Sequence, residues 1–195
     1  MPRIRRARSD GIEEPGGSLG DVPTLVRDPQ PKEFEALLER RRQLGQDRYD
    51  EMWGGVYVMN PAPSYEHQRL AQQLAVLLDP LARAAELEAV AGGVNLGDED
   101  NYRIPDASLH RRGSGGAFVS SAALVVEIRS PGDDTDQKIP FYAERVVDEV
   151  LIVDPREREV KWLGLQPHGR YEPITRSGLI EAGPAELADR LDWPE

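Results

Sequence analysis

The chain predicts an α/β (α+β) fold with a central mixed β-sheet flanked by helices, and three observations carry that prediction. One long segment after residue 64 repeats its leucines at helical spacing. Most of the chain beyond residue 87 instead breaks into short apolar runs separated by Gly, Pro and Asp. A helical stretch separates the apolar runs 123–129 and 150–153, the pattern of a parallel crossover between neighbouring strands.

Taken in order, residues 1–30 are rich in Arg, Gly, Pro and acids with no sustained period and are expected to form a flexible N-terminal tail. The remainder, 31–195, is expected to be a single domain. Pro31 to Gln43 predicts a short helix with Phe34, Leu37 and Leu38 on one face and Gly45 as its stop. Gly54 to Met59 predicts a strand, ended by Asn60-Pro61-Ala62-Pro63. Ser64 suits the N-cap of the longest helix, whose apolar face is Leu70, Leu74, Leu77, Leu78 and Leu81; Pro80 is expected to kink it or end its first part.

Strands are then expected over 87–96 (interrupted by Gly92-Gly93), 103–110 and 123–129. Pro131 to Asp134 forms a loop, and Thr135 to Arg145 a second helix whose regular part is expected to begin late because of Pro140. Strands over 150–153, 159–165 and 170–174 and a short helix over 184–191 complete the chain, with no internal repeat.

Composition narrows the function. The chain has no cysteine, which excludes disulfides, thiolate zinc sites and cysteine nucleophiles. Its apolar runs are far too short to span a bilayer and Met1 to Asp10 lacks a signal-peptide apolar core, so no membrane association and a cytoplasmic location are expected. A net charge of −11, from 24 basic and 35 acidic residues, argues against a non-specific nucleic-acid binder, although metal ligands can account for part of the acidity. The clusters Arg3, Arg5, Arg6, Arg8 and Arg40, Arg41, Arg42 are read as a solubilising tail and a solvated helix face.

Two acids stand out against this background. Glu127 is set inside the apolar run Leu124-Val125-Val126-Glu127-Ile128-Arg129, and Asp106 ends the neighbouring stretch Ile104-Pro105-Asp106. Burying a carboxylate without a partner costs several kcal/mol, so such an acid implies a metal, a cation or a raised pKa. Two carboxylates converging from adjacent strands can hold Mg²⁺ or Mn²⁺ through oxygen, leaving water positions for chemistry on a phosphate. A cation is then wanted to offset charge on the phosphate. Arg129, two residues along the same strand face, and Lys138, on the following helix, are the candidates, with lysine the better chemical choice because its pKa can be moved.

Further residues carry alternative readings. Glu51 is either an additional site acid or an exposed acid before a strand. His67 either contacts substrate or orients a ligand, or else caps the helix or packs on Trp53. Tyr142, one turn after Lys138, either hydrogen-bonds the lysine or a phosphate, or sits at the core edge. Asp133, Asp134 and Asp136 lack calcium-loop spacing and are read as solvated loop and helix-start acids. Trp53, Trp162 and Trp193 are read as packing residues.

These motifs, in this order, resemble the Uma2 family of the PD-(D/E)xK restriction-endonuclease-like superfamily. The resemblance rests on Tyr49-Asp50-Glu51-Met52-Trp53-Gly54-Gly55-Val56, Met59-Asn60-Pro61-Ala62-Pro63 with His67-Gln68, Ile104-Pro105-Asp106, Val125-Val126-Glu127-Ile128-Arg129-Ser130-Pro131, Lys138 with Tyr142, and Glu149 to Pro155. It covers roughly residues 32–175 and departs from the pattern at Gly54, where many relatives carry an acid, and at Leu151, where many carry tryptophan. It implies a nuclease-type site with Asp106 and Glu127 as metal ligands, Lys138 as the catalytic lysine displaced onto the next helix, Arg129 as a spare cation where the superfamily lysine would stand, and Glu51 as an extra acid. The expected activity is Mg²⁺- or Mn²⁺-dependent endonucleolytic hydrolysis of DNA, with a homodimer as a reasonable assembly because two strands need two sites. Two other readings stay open: a non-catalytic protein- or nucleic-acid-binding module on the same fold, and a hydrolase of a phosphodiester other than nucleic acid.

Overall fold

Leu70, Leu74 and Leu78 recur every four residues and are all buried, which fixes the inner face of the longest helix and the sheet it must cover. The computed structural model describes residues 24–27, 32–132 and 135–194. In chain order the elements are β1 (Thr24–Arg27), α1 (Lys32–Gln43), β2 (Glu51–Trp53), β3 (Val56–Met59), α2 (Tyr65–Ala84), β4 (Leu87–Ala91), β5 (Asn95–Asp98) and β6 (Asn101–Arg103). They continue with β7 (Ala107–Arg111), β8 (Phe118–Val119), β9 (Leu124–Ile128), α3 (Thr135–Glu144), β10 (Glu149–Asp154), β11 (Glu159–Leu165), β12 (Tyr171–Pro173) and α4 (Pro184–Arg190).

The α+β class stands, with strands in two sheets rather than one. The larger core belongs to the sheet ordered β12-β11-β10-β9-β7-β4, in which β9 and β10 run parallel and the other pairs antiparallel. The second sheet, β1-β3-β2-β6-β5-β8, is built mostly from hairpins. Alternation along β9 and β10 separates two apolar layers. Leu124, Val126, Ile128, Leu151 and Val153 pack with α2 and α4, while Val125, Val150 and Ile152 pack with Phe141 and Tyr142 of α3. Leu96 of β5 joins this second layer, which brings the smaller sheet to the α3 side.

Several elements depart from the periodicity. The expected strand 103–110 divides between the sheets at Ile104-Pro105-Asp106, because Pro105 cannot donate to a ladder and lets the chain change sheets. The expected strand 87–96 divides at Gly92 and Gly93, both with positive φ. Helix α2 runs through Pro80 and α3 begins at Thr135 and runs through Pro140, so neither proline ends or delays its helix. Both prolines are exposed, as are Val76 and Asp136 four residues earlier, so the carbonyls that lose a partner lie on the solvent side. Glu51–Trp53 was not anticipated as a strand; it pairs with β3 across the Gly54-Gly55 turn. Of the expected tail, Thr24–Arg27 forms a strand antiparallel to β3, and Arg3 to Arg8 lie outside the described residues.

Gly97 is required where β5 turns towards β6: its φ is +132°, and a Cβ would lie 2.2 Å from the Asn101 carbonyl oxygen. Among the described residues no helix is long and apolar enough to cross a membrane.

A buried carboxylate also ties the C-terminal segment to the core. Glu149 at the start of β10 accepts from Trp162 Nε1 at 2.8 Å, Ser177 Oγ at 2.6 Å and Gly178 N at 2.7 Å. Glu149→Ala strands three donors and is expected to cost about 3 kcal/mol in urea unfolding. A loss below about 1 kcal/mol would show that water replaces the carboxylate.

Candidate active site

The side-chain alternation that sends Val126 and Ile128 into the α2 layer turns Glu127 the other way, towards α3. Glu127 is 4% exposed. On α3, Lys138 and Tyr142 stand one turn apart and so share the face that meets it. The Tyr142 hydroxyl, itself buried, donates to Glu127 Oε1. Lys138 Nζ lies 3.4 and 3.3 Å from the two Glu127 oxygens and 3.1 Å from Glu51 Oε1.

Glu51 reaches the same ammonium from the other sheet. It is 1% exposed, and its carboxylate accepts from Trp53 Nε1 at 2.7 Å and from Ile104 N at 2.7 Å. Trp53 is thus a hydrogen-bond donor to a site acid, beyond the packing role expected of it. Behind it, the Arg103 guanidinium lies 4.2 Å from the ring centroids of both Trp53 and Phe141, a cation–π stack joining β2, β6 and α3.

Asp106 stands where β7 meets β9. Its backbone N–H donates to Val126 O at 3.0 Å, and its Oδ2 accepts from Ile128 N at 2.7 Å. Extending the register Ala107↔Val126 by one residue sets Asp106 opposite Glu127. Asp106 Oδ1 lies 2.8 Å from His67 Nε2, and His67 Nδ1 lies 3.2 Å from Ser130 Oγ. Ser64 caps α2 by accepting from His67 N, which fixes the helix start and thereby the ring. The His67 ring thus contacts a site acid, Asp106, while its backbone N–H takes part in the Ser64 cap.

Six of the seven sequence candidates converge: Glu51, His67, Asp106, Glu127, Lys138 and Tyr142. The first five line a cavity of about 160 Å³, with Tyr142 behind Glu127. Arg129 stays outside this cavity. It shares the Glu127 face but projects past the strand end, where it pairs with Asp136 at 2.6 Å and Asp154 at 3.8 Å. Asp136 is accordingly an exposed partner of Arg129, and Asp133 and Asp134 lie outside the described residues.

Arg41 does not belong to a solvated helix face as expected. It binds Asp50 through two hydrogen bonds of 3.0 and 2.8 Å, and Asp50 also accepts from Tyr57 Oη at 2.9 Å and Asn60 N at 3.0 Å. This knot joins α1 to the Asn60–Pro63 segment that forms one wall of the cavity.

The electrostatics are those of a site short of positive charge. Burial pushes the Glu127 carboxyl up to about 7, the Asp106 and Glu51 charges add to that, and Lys138 with Tyr142 offsets part of it. Burial alone would lower the Lys138 ammonium, but Glu127, Glu51 and Asp106 outweigh it and hold the group above the ordinary lysine range. Burial and the same acids raise the Tyr142 phenol.

Among the described residues no cluster of three or more His, Asp or Glu side chains is arranged to hold a metal ion. The adjoining pair Asp106 and Glu127 offers hard oxygen donors, and Mg²⁺ commonly takes only one or two carboxylates with water or phosphate in its other positions. The charge deficit at Glu127 fits such a cation.

Acids from two strands around a helix lysine, on a mixed sheet covered by helices, define a restriction-endonuclease-like fold. Residues 31–188 match the Uma2 family, described as "Putative restriction endonuclease", and the chain belongs to that family. The crystal structure of "a putative nuclease belonging to DUF820" from Anabaena variabilis ATCC 29413 shares the fold, with a TM-score of 0.59 and 14% identity over 74% of this chain and 92% of that one. Weaker similarity extends to the type IIG restriction endonuclease BpuSI, with a TM-score of 0.39 and 14% identity over 66% of this chain and 16% of that one. The DrdV–DNA complex gives 0.32 and 15% over 55% and 11%. No curated protein matches the chain.

Lys138 is the cation between two buried acids, so Lys138→Met leaves both uncompensated. The substitution is expected to cost about 3–5 kcal/mol in denaturant unfolding. Adding Glu127→Gln should restore much of that loss. Wild-type stability in Lys138→Met would show that the ion pair does not hold the site together.

Proposed function

We propose that the protein is a divalent-metal-dependent endonuclease that hydrolyses phosphodiester bonds in DNA. The observation that carries this reading is the convergence of Glu51 and Glu127 on the Lys138 ammonium, with Asp106 lining the same cavity. Family membership supports the nuclease class, since Uma2 proteins are described as "Putative restriction endonuclease".

In this reading Asp106 and Glu127 hold Mg²⁺ or Mn²⁺. When bound, the metal supplies Lewis-acid polarisation of the phosphate and lowers the pKa of water. The chain's own groups do the remaining work. Lys138, held by Glu127 and Glu51, presents a fixed positive charge that offsets the charge developing on the phosphate. Glu51, tied to Trp53 and Ile104, positions that lysine from the second sheet. His67 and the Ile128 N–H fix both Asp106 oxygens in orientation, and Tyr142 does the same for Glu127. Cleavage of both strands of a duplex requires two such sites, so this reading includes a homodimer on the substrate.

Nicking of supercoiled plasmid with Mg²⁺ or Mn²⁺ tests the proposal. Wild-type protein should cleave only with metal, and Asp106→Asn, Glu127→Gln and Lys138→Ala should each lose at least about 10²-fold in rate. Metal-independent cleavage, or full activity in a folded Glu127→Gln variant, would exclude the assignment.

A further inference from the structure

Next to the acid cavity lies a second cleft of about 350 Å³ lined by arginines. It shares Ser64, His67, Ile128, Ser130 and Pro131 with the acid cavity, so one extended ligand can occupy both. Three arginines line it, Arg129, Arg156 and Arg158, against a single carboxylate, Glu66. Arg129 is offset by Asp136 and Asp154, which leaves Arg156 and Arg158 as the cleft's cations without an acidic partner among the described residues, in a chain of net charge −11.

We propose that this arginine cleft binds backbone phosphates of the polynucleotide strand on one side of the phosphodiester held at Asp106 and Glu127. The proposal rests on reading the acid cavity as a phosphodiester site, and it names the part of the substrate that the acids cannot themselves attract. A surface rich in carboxylates repels a polyanion, so a substrate strand needs cations next to the cut.

Arg129 is held in place by Asp136 and Asp154, whereas Arg156 and Arg158 are exposed and have no carboxylate partner among the described residues. Their side chains leave from the β10–β11 turn. Asp154 Oδ1 builds that turn by accepting from the N–H groups of Arg156 at 3.0 Å and Glu157 at 3.2 Å. Arg158 closes it at φ +50°, a left-handed conformation that favours glycine.

The test is fluorescence anisotropy with a short labelled DNA duplex in EDTA, across a series of salt concentrations. The double variant Arg156→Gln/Arg158→Gly is compared with wild type and with Arg83→Gln, which removes a charge from the far end of α2. Thermal melting confirms that the variants fold; glycine at 158 suits the backbone there. The double variant should bind about ten-fold more weakly, and its slope of log affinity against log salt should fall by about 2, with Arg83→Gln unchanged. Equal affinity and slope in wild type and double variant, or no duplex binding by wild type, would overturn the proposal.

Hydrolysis of bis(p-nitrophenyl) phosphate by wild type with Mn²⁺ separates this result from the catalytic reading. Activity there with arginine-independent binding removes the cleft and keeps the nuclease. Arginine-dependent binding with no hydrolysis of the small diester or of plasmid supports the cleft and removes the nuclease.

Discussion

The rest of the structure depends on one buried carboxylate, Glu127, in β9, a strand whose every residue is buried. A charge in that position cannot be left to itself, because its solvation is lost and the interior around it does not replace it. The compensation comes from α3, which brings Lys138 and Tyr142, while Asp106, just before β7, and Glu51, which shares the lysine from β2, add negative charge beside it. The compensation is incomplete, as the elevated Glu127 carboxyl shows. Lys138 thus holds the site together while its acids remain in excess.

The two sheets divide the labour. The larger sheet places Glu127 and Asp106 by register, with α2 packed on its opposite face through Leu70, Leu74 and Leu78. The smaller sheet delivers Glu51 and fixes it through Trp53, which is itself braced by Arg103 against Phe141 of α3. Ile104-Pro105-Asp106 is where the chain passes from one sheet to the other, and it carries the Glu51 contact at Ile104 N and the acid at 106. The switch between sheets and the site are therefore the same place.

Much of this was legible in the sequence. The leucine spacing of α2 and the apolar run of β9 have strong periods, and a glutamate inside an apolar run is conspicuous because its burial is costly. Lys138 and Tyr142 were legible as residues one helical turn apart, but the tyrosine's partner was not: its hydroxyl donates to Glu127, where the spacing had pointed to the lysine or a phosphate. Other features had no local signal. Pro80 and Pro140 are helix breakers by rule, and only their exposure shows why the helices continue. The hydrogen bond from Trp53 to Glu51 and the pairing of Arg41 with Asp50 cross two and nine residues, respectively, but depend on how hairpin and helix dock, which composition does not encode. Arg129 illustrates the converse: strand alternation put it on the Glu127 face, yet one more step past the strand end sends it to Asp136 and Asp154.

The central claim is that the Asp106–Glu127 pair is a metal-binding pair in a phosphodiesterase site. Its most direct test is calorimetric titration of Mn²⁺ into wild-type protein and into Asp106→Ala, each with and without a DNA duplex. The account predicts saturable binding to wild type, strengthened by duplex, and none to the variant. Equal heats for the two proteins, or no binding to wild type even with duplex present, would contradict it.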